Sequence, residues 1–233
     1  MSDSLDAALG GLIVMCPAPL AAQAEQVRAE ILGDENLSDE SLERCLRRVV
    51  DIALESAREP AARAASFAVV RATRALMDER APTGMLKTRH RITAVFEVGD
   101  AWEETRSEAL GVLSLFESLG QPPGRMQITM LCHALWKLSL WEELEAWSNR
   151  LLHEAKLVDD WRSELLALEQ LAEAFEATGR SAAALQAREQ MVARLRALGK
   201  TLKGPMSKHI LSETDRLRAI VTAAFPEGPL PDE

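Results

Sequence analysis

LLALEQLAEAFEATGRSAAALQAREQMVARLRAL, residues Leu165 to Leu198, is the stretch that decides the fold. Its apolar positions Leu165, Leu168, Leu171, Ala172 and Phe175 recur at steps of three and four, the helical period. Gly179 follows at once. Glycine has no Cβ to oppose the left-handed backbone conformation in which helices commonly end. Ser181 is placed to cap a second helix, along which Ala184, Leu185, Met191, Val192 and Leu195 return with the same period. A helix pair this short cannot bury its apolar stripe alone and must stack on neighbours. The rest of the chain has to supply them.

The composition agrees. Of 233 residues, 47% are apolar and 27% charged, there is no Tyr, and Ala, Leu, Glu and Arg are abundant. These are helix formers, and no segment alternates with a period of two, so the expected fold class is all-α. The net charge of −9 argues against general nucleic-acid binding, which rests on neutralising phosphates. The charge is blocked: basic from Ala61 to Arg91, acidic from Ile92 to Ala177, basic from Arg180 to Arg218. Such blocks suit neighbouring repeats that attract one another. Cys16, Cys45 and Cys132 are odd in number, far apart and in apolar contexts, which points to reduced thiols and a cytoplasmic protein. Leu12 to Cys16 loosely resembles a lipoprotein cleavage site, but Asp3 and Asp6 stand where a positive leader would need Lys or Arg. No apolar run approaches the roughly 20 residues that span a bilayer.

Eleven helices are expected. The first runs Ser4 to Met15 and stops at Pro17 and Pro19; the second runs from about Leu20 to Leu32, before a turn at Gly33 to Asn36. Ser38 caps the third, with Asp39 and Glu40 in its first turn. Pro60 suits the first turn of the fourth, which breaks at Arg80 to Gly84. Met85 to Val98 and Ala101 to Leu119 come next, then the loop Gly120 to Gly124. Gln127 to Leu138 and Trp141 to Ala155 precede the stretch quoted above. After it, a loop at Gly199 to Pro205 leads to a last helix, Ser207 to Phe225. The organisation read from this is an N-terminal set of helical pairs over residues 1–80, either a cap or divergent repeats, a repeat region over 81–225, and a disordered tail over 226–233.

A repeat underlies the middle of the chain. Gly99, Ser139 and Gly179 are evenly spaced, and each ends a first helix. Around them Leu168, Leu171, Ala172 and Phe175 correspond to Ile128, Leu131, Cys132 and Leu135. Trp102 falls one residue out of register with Trp141. The pattern resembles the tetratricopeptide repeat: a large residue, a large-small pair, an aromatic, a turn glycine, then a small residue in the second helix. The step of about 40 residues exceeds that family's period of about 34 residues, and Leu or Ile stands where the family carries Trp. The small Cys132 and Ala172 would let paired helices approach closely. The resemblance implies antiparallel helix pairs stacked as a right-handed α-α superhelix, with the first helix of each pair lining a concave groove.

That groove is the candidate site, because no catalytic or metal motif is present: no CxxC, HExxH, phosphate loop or GxSxG. The residues expected to line it are Arg89, His90, Thr93 and Phe96, then Met126, Thr129, His133, Trp136 and Lys137, then Glu169, Gln170, Glu173 and Glu176. Aromatic, basic and acidic groups together suit a peptide or a partner helix, with Trp136 as anchor and Arg89, Lys137 and Glu173 setting polarity. Four tryptophans, Trp136, Trp141, Trp147 and Trp161, crowd this region. The implied function is a non-catalytic adaptor or scaffold for another protein or a peptide, with regulatory use, no cofactor and no metal, and with self-association as an option. Two other readings are a regulator reaching nucleic acid through Arg188 to Arg218, and a helical enzyme whose groups converge from distant helices.

Overall fold

The computed structural model describes residues 3–33 and 37–201. Ten α-helices fill them: α1 (Asp3–Met15), α2 (Ala18–Gly33), α3 (Asp39–Ser56), α4 (Arg63–Arg80), α5 (Leu86–Val98), α6 (Trp102–Ser118), α7 (Arg125–Lys137), α8 (Trp141–Leu157), α9 (Trp161–Ala177) and α10 (Ser181–Thr201). There is no strand among the described residues, and the fold is all-α. The eleventh helix expected at Ser207 to Phe225, the tail after it, and the turn residues Asp34 to Asn36 lie outside the described residues.

The described residues fall into two compact units, divided between Ala134 and Leu135. In the first, α1 packs on α2 and α4, and α3 packs on the same two helices, so α1 to α4 close a ring. Helix α5 lies against α3 and α4, and α6 lies against α5. One core runs through this set, from Leu5, Leu9 and Leu12 through Leu46, Val49 and Val70 to Ile92, Val95 and Phe96. The stripe Leu42, Leu46, Val49, Val50 and Ala53 explains α3. Ser38 caps it as expected, its hydroxyl accepting the Ser41 backbone N–H at 3.3 Å. In the second unit, α9 packs on both α8 and α10. Ala172 and Ala187 meet in one cluster with Leu171, so small residues on both sides let α9 and α10 approach. Leu195 and Leu198 close over Trp161 and Leu165.

One joint recurs between helices. Asp100, Gly120, Ser139, Asp159 and Gly179 all have positive φ, between 54° and 75°, and follow one another at nearly even steps along the chain. At each, the next residue's N–H reaches back to the carbonyl five residues earlier: Ala101 to Phe96 (2.9 Å), Gln121 to Phe116 (3.0 Å), Leu140 to Leu135 (2.9 Å), Asp160 to Ala155 (2.9 Å) and Arg180 to Phe175 (2.7 Å). The left-handed residue itself bonds three back, as Ser139 does to Trp136 at 3.1 Å. This is the Schellman termination, which satisfies two of the carbonyls a helix end leaves open. At four of the five, the residue after the left-handed one caps the next helix. Ala101, Leu140 and Asp160 do so with nearly the same backbone angles (φ −90°, −88°, −84°; ψ 74°, 70°, 84°), and a tryptophan opens each following helix: Trp102, Trp141, Trp161.

This joint corrects several sequence expectations. The left-handed residue before α6 is Asp100, not Gly99, whose φ is −86°. Counting from Asp100 brings Trp102 into register with Trp141. Gly99 is needed for space: a Cβ there would sit 2.4 Å from the Phe67 ring. Arg180 is the capping residue of α10, since its carbonyl accepts the first helical bond from Ala184, and Ser181 is the first helical residue. Pro60 lies before α4, in a turn closed by the Ala62 N–H on the Glu59 carbonyl, where its fixed φ suits the second turn position. Gly199 and Lys200 continue α10 to Thr201, because one glycine costs a helix only about 1 kcal/mol.

Candidate functional site

Helix α5 carries two different faces. Arg89 and Phe96, expected beside His90 in the groove, turn inward and are 5% and 3% exposed. The Arg89 guanidinium gathers the α4–α5 loop. Its Nε donates to the Gly84 carbonyl (3.2 Å), its Nη2 to those of Pro82 (3.2 Å) and Ala81 (3.4 Å), and its Nη1 pairs with Asp78 (2.6 Å). Arg89 thereby holds the turn that sets Met85 in the left-handed conformation at the start of α5. The Phe96 ring packs 5.3 Å from that of Phe67. The core register of α5 is therefore 89, 92 and 96, and neither side chain is open to a partner.

The other face, at 90, 93 and 97, meets α7. His90 Nδ1 lies 2.7 Å from Gln127 Oε1, and Gln127 Nε2 donates to Thr93 Oγ1 at 2.8 Å. His90 Nε2 lies 3.0 Å from the Met126 sulfur. Further along, His133 Nδ1 is 2.9 Å from Glu97 Oε1, and its ring stands 4.9 Å from Trp102. Met126 is 64% exposed; Thr129 and His133, at helical steps beyond it, are half-buried. Two predicted histidines thus lie on one polar seam, each tied by a neighbour that fixes its ring.

In the second unit, Trp136 is half-buried and the Lys137 ammonium stands 4.6 Å from its ring centre. On α9, Glu169 is exposed and Glu173 half-buried, while Gln170 is buried and accepts from the Ser148 hydroxyl at 3.3 Å. Glu176 pairs with Arg188 at 2.8 Å. The basic stretch is largely engaged where it is described. Arg194 pairs with Asp159 and Glu164, and Arg180 pairs with Glu145 and stacks 4.7 Å over Phe175. Its remainder beyond Thr201 lies outside the described residues.

A second feature escaped sequence reading. A cleft of about 250 Å³ opens between α4 and α6, floored by Val70 and Phe96. Arg71 and Arg74 line one wall; Glu104, Ser107 and Glu108 line the other. Arg71 pairs with Glu104 at 2.8 Å, and its guanidinium lies 5.8 Å from the Phe96 ring centre and 6.0 Å from that of Phe67. Arg74 pairs with Glu108, which is only 3% exposed, and more loosely with Asp78 at 3.6 Å. Burial pushes the Glu108 carboxyl above its usual pKa; Arg74 and Arg89 pull it back, and Asp78 adds to the rise. The sequence signal was a pair of arginines three apart on α4 and a pair of glutamates four apart on α6. Taken alone, each pair reads as a solvated helix face.

Among the described residues no three metal-ligating side chains converge, and no helix is long and apolar enough to cross a membrane. No family model, curated protein or solved structure matches the chain.

Proposed function

We propose that the protein is a non-catalytic adaptor or scaffold, of regulatory use in the cytoplasm, whose helical hairpins stack in a tetratricopeptide-like right-handed array and bind a peptide or a segment of a partner protein. The observation that carries this reading is the recurring joint. Five helix ends share one hydrogen-bond pattern at nearly even steps along the chain. A recurring joint between consecutive helices is what an array of stacked hairpins would use. The ring of α1 to α4 then serves as the cap such an array needs. The residues offered to a partner are His90, Met126, Thr129 and His133 in the first unit, and Trp136, Lys137, Glu169 and Glu173 in the second. Their mixture of aromatic, basic and acidic groups suits a segment of mixed charge with one large apolar anchor.

The test is affinity capture from the source cells with the native protein and with Trp136→Ala plus Lys137→Glu, the helical content of both confirmed by circular dichroism. A discrete protein kept by the native form and lost by the variant supports the adaptor reading. Identical sets from both, or none from either, overturn the groove assignment.

A further inference from the structure

We propose that the cleft between α4 and α6 binds a small zwitterion: an ammonium and a carboxylate on one short apolar body, as in a free amino acid with an uncharged side chain. This goes beyond the adaptor reading and does not depend on it.

The first support is charge balance. Two arginines face two glutamates across the cleft, so it is neutral as it stands. A ligand of single charge would take one side chain, release its former partner and leave the cleft with a net charge. A zwitterion exchanges one ion pair for two and leaves none unpaired. The second support is the unequal burial of the pairs. Arg71 and Glu104, with side chains 56% and 41% exposed, form the outer pair, and exposed pairs of this kind are weak and open easily. Glu108 forms the inner one and is almost wholly buried. Its burial outweighs the attraction of Arg74 and Arg89, so its carboxylate gains from a further cation. The ammonium end therefore sits between Glu108 and the Glu104 carboxylate that Arg71 releases, four residues apart on α6, and the carboxylate end faces Arg71, whose guanidinium lies near the rings of Phe67 and Phe96 and offers a planar fork. The third support is size. About 250 Å³ over a floor of Val70 and Phe96 accommodates an amino acid with a small or medium apolar side chain, and Ser107 adds a hydroxyl at the wall.

The experiment uses the full chain, with calorimetry and thermal melting against L-valine, L-leucine and L-methionine. The half-ligands are 4-methylpentanoate, which lacks the ammonium, and 3-methylbutylamine, which lacks the carboxylate. The variants are Arg71→Gln and Ser107→Trp, both at exposed positions, so that folding is retained; the indole fills the cleft. The expected result is saturable binding and a raised Tm with at least one amino acid and neither half-ligand. Arg71→Gln should weaken that binding by roughly tenfold or more, the loss of a charge-assisted contact, and Ser107→Trp should abolish it. The proposal is overturned if no amino acid binds up to about 10 mM, where even a millimolar Kd saturates. It is equally overturned if a half-ligand binds as well as the amino acid, or if binding survives both variants unchanged.

Discussion

Replacing Gly99 by alanine separates two reasons for a glycine at the end of a helix. If Gly99 made the left-handed turn, alanine would suffer from its backbone, and asparagine, which tolerates that conformation, would be accepted. The structure gives the other reason. With φ at −86° an alanine meets no backbone penalty, and reducing the freedom of the unfolded chain would by itself gain about 0.4–1 kcal/mol. The added Cβ, however, would stand 2.4 and 2.5 Å from two atoms of the Phe67 ring and 3.3 Å from the Val95 carbonyl. The ring would have to swing away from Phe96 and from the Arg71 guanidinium that lies over it. Overpacking of this kind costs about 1–3 kcal/mol, so the net loss expected for Gly99→Ala is about 1–2 kcal/mol. Gly99→Asn should lose at least as much. The assay is urea denaturation followed by circular dichroism, run as a double-mutant cycle with Phe67→Ala. In the Phe67→Ala background the Gly99→Ala cost should vanish, giving a coupling of at least about 1 kcal/mol. Equal losses in both backgrounds, or an asparagine variant as stable as the native protein, would refute the close-approach argument.

Other consequences of the same geometry can be measured. Ser139→Gly should raise stability in urea by about 0.5–1 kcal/mol by relieving a left-handed serine, whereas Gly179→Ala, in open space, should lose about 1 kcal/mol to backbone strain alone. Arg89→Met should cost about 2–4 kcal/mol, since three loop carbonyls and Asp78 lose their donor, and Arg89→Lys should recover less than half because one ammonium cannot reach all four. Glu108 has its folded pKa raised by burial above its usual 4.5, so between the unfolded and folded values the native state binds more protons and stability falls as pH rises. The Tm of the native protein minus that of Glu108→Gln should therefore be greatest below about pH 4.5 and decline above it; a difference that grows with pH would show that the ion pair with Arg74 outweighs burial.

Much of the fold was legible because periodicity reports directly on helices. The apolar stripes of α3 and α9 and the cap at Ser38 were found where spacing placed them. Joints were harder, because the sequence marks of a turn and its geometry need not coincide. Asp100 and Asp159 adopt the left-handed conformation that glycine usually signals, while the glycine next to Asp100 answers to Phe67, a contact with the preceding helix α4. That single shift had hidden the register shared by Trp102 and Trp141. The candidate groove was half legible. His90 and His133 lie together on the seam between α5 and α7, but Arg89 and Phe96 face the core, because α5 packs on α3, α4 and α6 at once and has less free surface than a two-neighbour helix. The cleft between α4 and α6 could not be read at all. Its chemistry comes from ion pairs between helices that are not neighbours in sequence, and only tertiary packing determines that Glu108 is buried while Glu104 is not.

An array that holds a partner segment along its exposed polar seam must bring that partner within reach of Met126. The most direct test is a photo-crosslinking amino acid placed at Met126 in the source cells, with the exposed Gly11 of α1 as control position. The predicted result is one discrete crosslinked protein at position 126, absent at position 11, whose yield falls when His133 is replaced by alanine. No crosslink at 126 above the control, or one indifferent to His133, would contradict it.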